Sequence, residues 1–272
     1  TAEKLTFGGA AAVTGTARLT VSSGSLYLGE GGMVGNGSVT AQVQFNGGTI
    51  GAKAAWATDL AVVLGGAATV KAASATDEAF AVALNGGISG TGSLTKTGAG
   101  TLTLGGTVAY TGNTTVEAGT LVVATNTAAT FDDASTVTIA AGAVLNLPNA
   151  ATDIVGSLVV NGTPLANGVY DAAHPATTGY LTGPGKIQVG LPGYAGWAAT
   201  NAGGQAADLD YDNDGVKNGV EYFMGETGST FTANPGIVDG KVTWPKSAEF
   251  TGSYAVETSP DLATWTPTTE GV

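Results

Sequence analysis

The chain has 272 residues, 44 of them glycine, with 43% hydrophobic and only 11% charged residues, no cysteine and a formal net charge of −12. Without cysteine there are no disulfides, cysteine zinc sites or thiol catalysis, and with 21 acidic against 9 basic residues there is no electrostatic footprint for nucleic acid. One histidine rules out histidine-cluster metal sites, the apolar content argues against disorder, and no apolar run approaches the roughly 18 residues of a membrane helix, so no transmembrane segment is expected.

The opening TAEKLTFGG holds no basic and apolar leader, so a mature chain that has lost its targeting peptide is expected, secreted to the outside or the surface of a bacterial cell. Residues 1–9 read as an N-terminal strand or arm, because Lys4-Leu5-Thr6-Phe7 alternates polar and apolar. From 10 to 190 one pattern repeats: four to six residues rich in Val, Leu, Ile and Thr, then Gly-Gly, Asn-Gly or Ser-Gly. Strands are expected at 18–21, 25–28, 39–45, 60–64, 80–84, 101–104, 120–123, 136–139, 144–147 and 157–160. A helix here would lose about 1 kcal/mol at each glycine, so this part is all-β.

Many short strands allow a sandwich, a barrel or a solenoid. Small side chains that let coils stack, rows of threonine, and phrases recurring every 18 to 25 residues favour a β-solenoid. About 185 residues would then make roughly eight to ten coils, about 40–50 Å along the axis at ~4.8 Å per strand. The clearest phrase is ISGTGSLTKTGAGTLTLGGTVAYTGNTTVEAGTLVV at 88–123. Through Gly92, Leu94, Lys96, Gly98, Gly100, Thr101, Leu102, Leu104, Tyr110, Gly112, Thr114, Val116, Gly119, Thr120 and Leu121 it resembles the autotransporter-associated β-strand repeat of bacterial passenger proteins. The resemblance covers one clear copy, and it implies a right-handed parallel β-helix displayed outside the cell.

Leu191-Pro192-Gly193 reads as a linker, and 194–272 as a second module, since it holds three of the four tryptophans and 11 of the 21 acidic residues. Residues 194–199, with Trp197, suggest a short helical or turn anchor. A helix is expected at 218–224, closed by Gly225, and strands at 241–244, 253–258 and 264–266. Between anchor and helix, Asp208, Asp210, Asp212, Asp214, Gly215, Asn218 and Glu221 fit the calcium-loop pattern of alternating carboxylates, a glycine for the sharp turn and a closing glutamate. In this reading Asp210, Asp212 and Asp214 converge on one ion and Val216 offers its carbonyl. Asn218 acts directly or through water, Glu221 binds with two oxygens, and Asp208 is a further or outer ligand. The loop resembles dockerin-like and thrombospondin type 3-like calcium segments; with one loop, an extracellular setting and no Met-rich groove to expose, calcium is expected as a fixed brace.

The remaining chemistry is sparse. His174 sits before a proline without a second histidine or an activated serine, Asp132-Asp133 suits a turn, and the Gly-Gly pairs are not followed by the lysine and helix of a phosphate cradle. No catalytic residues are expected, and the chain is read as a structural protein rather than an enzyme. It is expected to self-assemble into a filament, sheath or surface layer, with residues 1–9 completing a neighbour's sheet near Tyr254 or Trp265. A cell-surface adhesin or glycan-binding stalk, with extracellular polysaccharide as partner, is the alternative. A polysaccharide lyase ranks third, because Lys217 is the only basic residue in the acidic loop.

Overall fold

The computed structural model describes residues 2–8, 15–37, 39–191, 193–228, 230, 232–233, 237–239, 241–248, 250, 252–258, 263–264 and 266–268. Thr1, Gly9, Pro192 and Trp265, which carried expectations above, lie outside the described residues. The chain divides into two units, Thr1–Gly190 and Leu191–Val272.

The first unit is a parallel β-solenoid of about six turns. Three parallel sheets form its faces. The first runs through strands Ala2–Phe7, Ser25–Gly35, Thr49–Ala52, Ala68–Lys71, Leu94–Thr97, Thr114–Val116, Thr136–Ile139 and Ser157–Val160. The second begins at Thr16–Val21 and ends at Val108–Tyr110, and the third runs from Trp56–Thr58 to Leu181–Thr182. Strict alternation decides which side chains enter the core: in Thr101–Leu104 and Thr120–Val123, Leu102, Leu104, Leu121 and Val123 are buried while the intervening residues are half-exposed. Register then stacks like on like. Thr49, Thr69, Thr95, Thr115 and Thr138 form one outward column, each facing the next across a rung.

The repeat at 88–123 shows why its glycines are there. Gly98 adopts φ +76°, a left-handed conformation that a side chain resists. Gly112 stacks on Gly92, and a Cβ there would run into the Gly92 carbonyl. Lys96 occupies an inward position two residues after buried Leu94. Its side chain is fully buried, and its ammonium donates to the carbonyls of Gly98, Gly100 and Ala118 at 2.5, 2.7 and 2.6 Å. Ala118 belongs to the turn that carries the next rung, so the lysine ties successive coils. Burial lowers its pKa to about 8. Tyr110, also buried, shares a hydrogen bond with Thr114 at 2.6 Å.

Three expectations need correction. The turns are fewer than eight to ten. Paired residues lie 20 apart from Thr49 to Thr69, 26 from Ala68 to Leu94 and 23 from Thr114 to Val137, so a coil takes about the 18 to 25 residues expected and the shortfall lies elsewhere. The excursion at 124–135, whose Thr130 and Phe131 amides donate to buried Asp153 at 3.0 and 2.8 Å, fits inside the 23-residue step, and chain is spent instead on antiparallel additions near the end of the unit. There Thr163–Pro164 folds back on Ser157–Val160, and Gly168–Tyr170 on Lys186–Val189. Second, Ala2–Phe7 is a strand, as its alternation suggests, but its partner is its own chain and not a neighbour: it pairs in parallel with Ser25–Gly35, and Glu3 bonds Lys53 at 2.6 Å. Third, the C-terminal strands are two short antiparallel pairs, Ile237–Val238 with Lys241–Val242 and Val256–Thr258 with Thr266–Thr268, and Trp244 lies outside them.

The second unit begins with helix α1 (Gly193–Asn201) and continues to α2 (Asn218–Met224). Aromatic rings join the helices. Trp197 and Tyr194 each lie within 5.7 Å of Tyr222, measured between ring centroids, and the indole N–H of Trp197 donates to the Glu226 carbonyl at 2.9 Å. Phe250 extends the cluster from Tyr222 at 5.4 Å to Phe223 at 5.2 Å. Gly225 ends α2 at φ +84°, with its N–H and that of Glu226 donating to carbonyls of the last turn. Among the described residues no helix is long and apolar enough to cross a membrane.

Candidate metal centre

The acidic loop lies between α1 and α2, and backbone bonds close its base. Asn218 N–H donates to the Leu209 carbonyl and Gly219 N–H to that of Ala207, at 2.8 and 2.9 Å. Asn213 and Gly215 take positive φ values of 61° and 94°, the bends that alternating carboxylates need in order to turn inward. One carboxylate oxygen from each of Asp210, Asp212 and Asp214 lies within 4.8 Å of the others. Loop amides support them: Gly215 donates to Asp210 Oδ2 at 2.9 Å, Asp214 to Asp212 Oδ1 at 3.2 Å, and Val216 to Asp214 Oδ1 at 2.7 Å.

Glu221 enters from the first turn of α2. It is fully buried, Thr232 donates its hydroxyl to Oε1 at 2.9 Å, and Oε2 has no hydrogen-bond partner among the described residues. Burial pushes its carboxyl pKa up, and the charges of Asp212, Asp214 and Asp210 push the same way against the Thr232 hydroxyl. Thr232 also donates its backbone N–H to Asp214 Oδ2, which places Glu221 beside the three aspartates.

The other expected ligands divide. Val216 has a buried side chain and lies within the loop. Asn218 is buried with both polar atoms engaged, Oδ1 accepting from Tyr211 N–H at 3.0 Å and Nδ2 donating to the Ala206 carbonyl at 3.0 Å. It clamps the loop to its approach. Asp208 is exposed, stands outside the group of three, and acts through its charge on Tyr194. Thr232 carries no sequence signal, since it lies eleven residues past Glu221 in a stretch without periodicity.

Like charges about 5 Å apart repel by about 1 kcal/mol per pair in water and about 3 kcal/mol at the effective dielectric of a protein surface. Among the described residues no ion pair reaches these carboxylates. A buried carboxylate with an orphaned oxygen beside three converging aspartates is an all-oxygen donor set. That chemistry fits a hard divalent cation.

Comparison with known families matches residues 94–123 to the passenger-associated-transport-repeat. The matched stretch holds Lys96, the Gly112 corner and two rungs of the first sheet. Neither the curated proteins nor the solved structures gave a match. Repeat and solenoid together suggest a passenger-like protein, secreted or held at a cell surface.

Proposed function

We propose that this protein is a secreted structural component that associates with copies of itself into an extracellular filament, sheath or surface layer, with calcium bracing its C-terminal unit. The observation that carries the reading is the start of the solenoid. Strands Ala2–Phe7 and Thr16–Val21 each stand at the end of a parallel sheet, with one edge lacking a strand partner among the described residues. Beside these edges Leu5, Ala17 and Leu19 are only partly covered. An unpaired edge over incompletely buried apolar side chains is a template for a strand of another molecule.

Because Ala2–Phe7 already pairs within its own chain, the edge is read as an acceptor rather than as an arm donated to a neighbour. Glu3, Lys4 and Arg18 on these strands oppose indiscriminate pairing, which favours one register. Calcium contributes by mass action, stabilising the folded loop in proportion to the logarithm of its concentration over the dissociation constant. Exposed Trp244 and Tyr254 favour a second reading, adhesion to carbohydrate, which binding to a glycan panel tests directly.

Sedimentation velocity of the full chain over rising concentration tests the assembly. Larger species that grow with calcium and recede with a chelator are expected. Monomers persisting at high concentration with calcium present overturn the proposal.

A further inference from the structure

Register fixes a relief on the outer face of the third sheet. Its central outward column runs Ala57, Ala83, Thr103, Val122, Asn146 and Thr182, each beside the next on successive rungs. Two residues earlier along the strands, Ala55 and Ala81 stand at the first two rungs and Thr120 and Val144 at the fourth and fifth. The face is therefore small at one end and larger at the other. At the small end these four alanines and Thr103 line a shallow depression of about 350 Å³ over buried Trp56, with exposed Glu30 at its rim. Neither column holds a charged residue, in a chain whose formal net charge is −12. The Asn146 amide is satisfied within the face, donating to the Thr182 hydroxyl at 2.9 Å. The other two sheets carry Lys71 and Arg18 on their outer faces.

We propose that this face packs against the same face of a second copy, the two related by a two-fold axis that runs along Thr101–Leu104 at Thr103. Such an axis reverses the order of rungs and keeps each column opposite itself. Val122 then meets Ala83 of the second copy, Val144 meets Ala55, and Asn146 meets Ala57, so large lies on small at every rung and the depression is filled. The unreversed arrangement sets alanine on alanine and leaves a gap, which close-packed contacts avoid. Copies of like net charge repel, and an uncharged face is where they approach at least cost. The axis also sends the two Glu30 side chains to opposite ends of the contact. Five rungs at ~4.8 Å by four residues at ~3.3 Å cover about 300 Å² in plan, well under the roughly 800 Å² per partner of a stable complex. The contact is therefore weak alone and adds to a second one by avidity. The inference rests on the self-association reading for its partner alone. The unpaired edges of Ala2–Phe7 and Thr16–Val21 belong to the other two sheets, so edge pairing and face packing fail separately.

The chain has no cysteine, so one introduced thiol reports on one contact. Full-length Thr103→Cys, with Thr95→Cys on the outer face of the first sheet as control, is oxidised at high protein concentration and read on a non-reducing gel. Thr103→Cys should give at least about fivefold more covalent dimer than Thr95→Cys, since the axis brings each Thr103 to its own copy. Adding Val122→Glu sets a carboxylate against Ala83 of the second copy and should lower the dimer about tenfold; adding Ala83→Lys as well supplies the opposite charge and should restore it. Circular dichroism checks that each variant keeps its strands. Equal crosslinking at 95 and 103, or no restoration by Ala83→Lys, overturns this inference, while larger species in sedimentation still decide the edge reading. Covalent dimers of Thr103→Cys without any larger species overturn the filament and leave the face contact standing. If Val122→Glu does not fold, the comparison of Thr103→Cys with Thr95→Cys decides.

Discussion

Replacing Lys96 with methionine tests how the repeat holds its coils together. The substitution keeps the length of the side chain and removes the ammonium that three backbone carbonyls share. Gly100 retains a second donor, the Thr120 N–H at 3.2 Å, but Gly98 and Ala118 lose the lysine. Each stranded buried carbonyl costs about 1–3 kcal/mol. Against this, a lysine lowered to about 8 from its ordinary 10.5 is disfavoured in its charged form by about 3 kcal/mol, a penalty that methionine escapes. Breaking a buried charged contact on one side typically destabilises by about 3–5 kcal/mol, and with that offset we expect a loss of up to about 2 kcal/mol at pH 7. Urea unfolding followed by circular dichroism measures it, as a lower midpoint at unchanged slope. The sign with pH is fixed as well. Above about 8 the folded state releases the proton while the unfolded chain keeps it to 10.5, so wild-type stability gains on Lys96→Met between those values. A variant clearly more stable than the wild type at pH 7, or a stability difference flat from pH 8 to 10.5, refutes the reasoning.

Two further substitutions probe the solenoid. Gly112→Ala drives a methyl into the Gly92 carbonyl and should lower stability by about 1–3 kcal/mol, read from the urea midpoint; an unchanged midpoint contradicts the close stacking of the glycine corner. Asp153 is pushed up to about 6 chiefly by burial, so the stability it contributes is fully present below about 3.8 and lost as pH rises through 6. The difference between wild type and Asp153→Asn should therefore shrink by up to about 3 kcal/mol from pH 4 to 7, followed by thermal unfolding at each pH; a difference that widens contradicts the burial.

Much of the solenoid was legible because two local rules suffice: alternation decides which residues face inward, and glycine marks the corners. Lys96 was legible in part. It shares the inward parity of Leu94, but nothing local says that three carbonyls await its ammonium, because Ala118 comes from the following coil. Coil number was overestimated since sequence shows strands and not their pairing, so the antiparallel additions at 163–164 and 168–170 are not distinguished from further coils. Residues 2–7 were legible as a strand, but their partner was not, because pairing with Ser25–Gly35 is non-local. In the acidic loop the convergence of Asp210, Asp212 and Asp214 was readable from their spacing, whereas Asn218, on the same spacing, serves as a backbone clamp. Thr232 reaches Glu221 and Asp214 across a stretch with no motif at all.

Hydrogen exchange of the full chain, with calcium and then with a chelator, tests most directly whether a divalent cation is a structural member of this protein. Amides at 210–216, several of which donate to the aspartates, should exchange more slowly by at least tenfold when calcium is present, an opening free energy higher by about 1.4 kcal/mol. The solenoid strands should be unaffected and serve as the internal control. Identical exchange at 210–216 in both conditions contradicts the account.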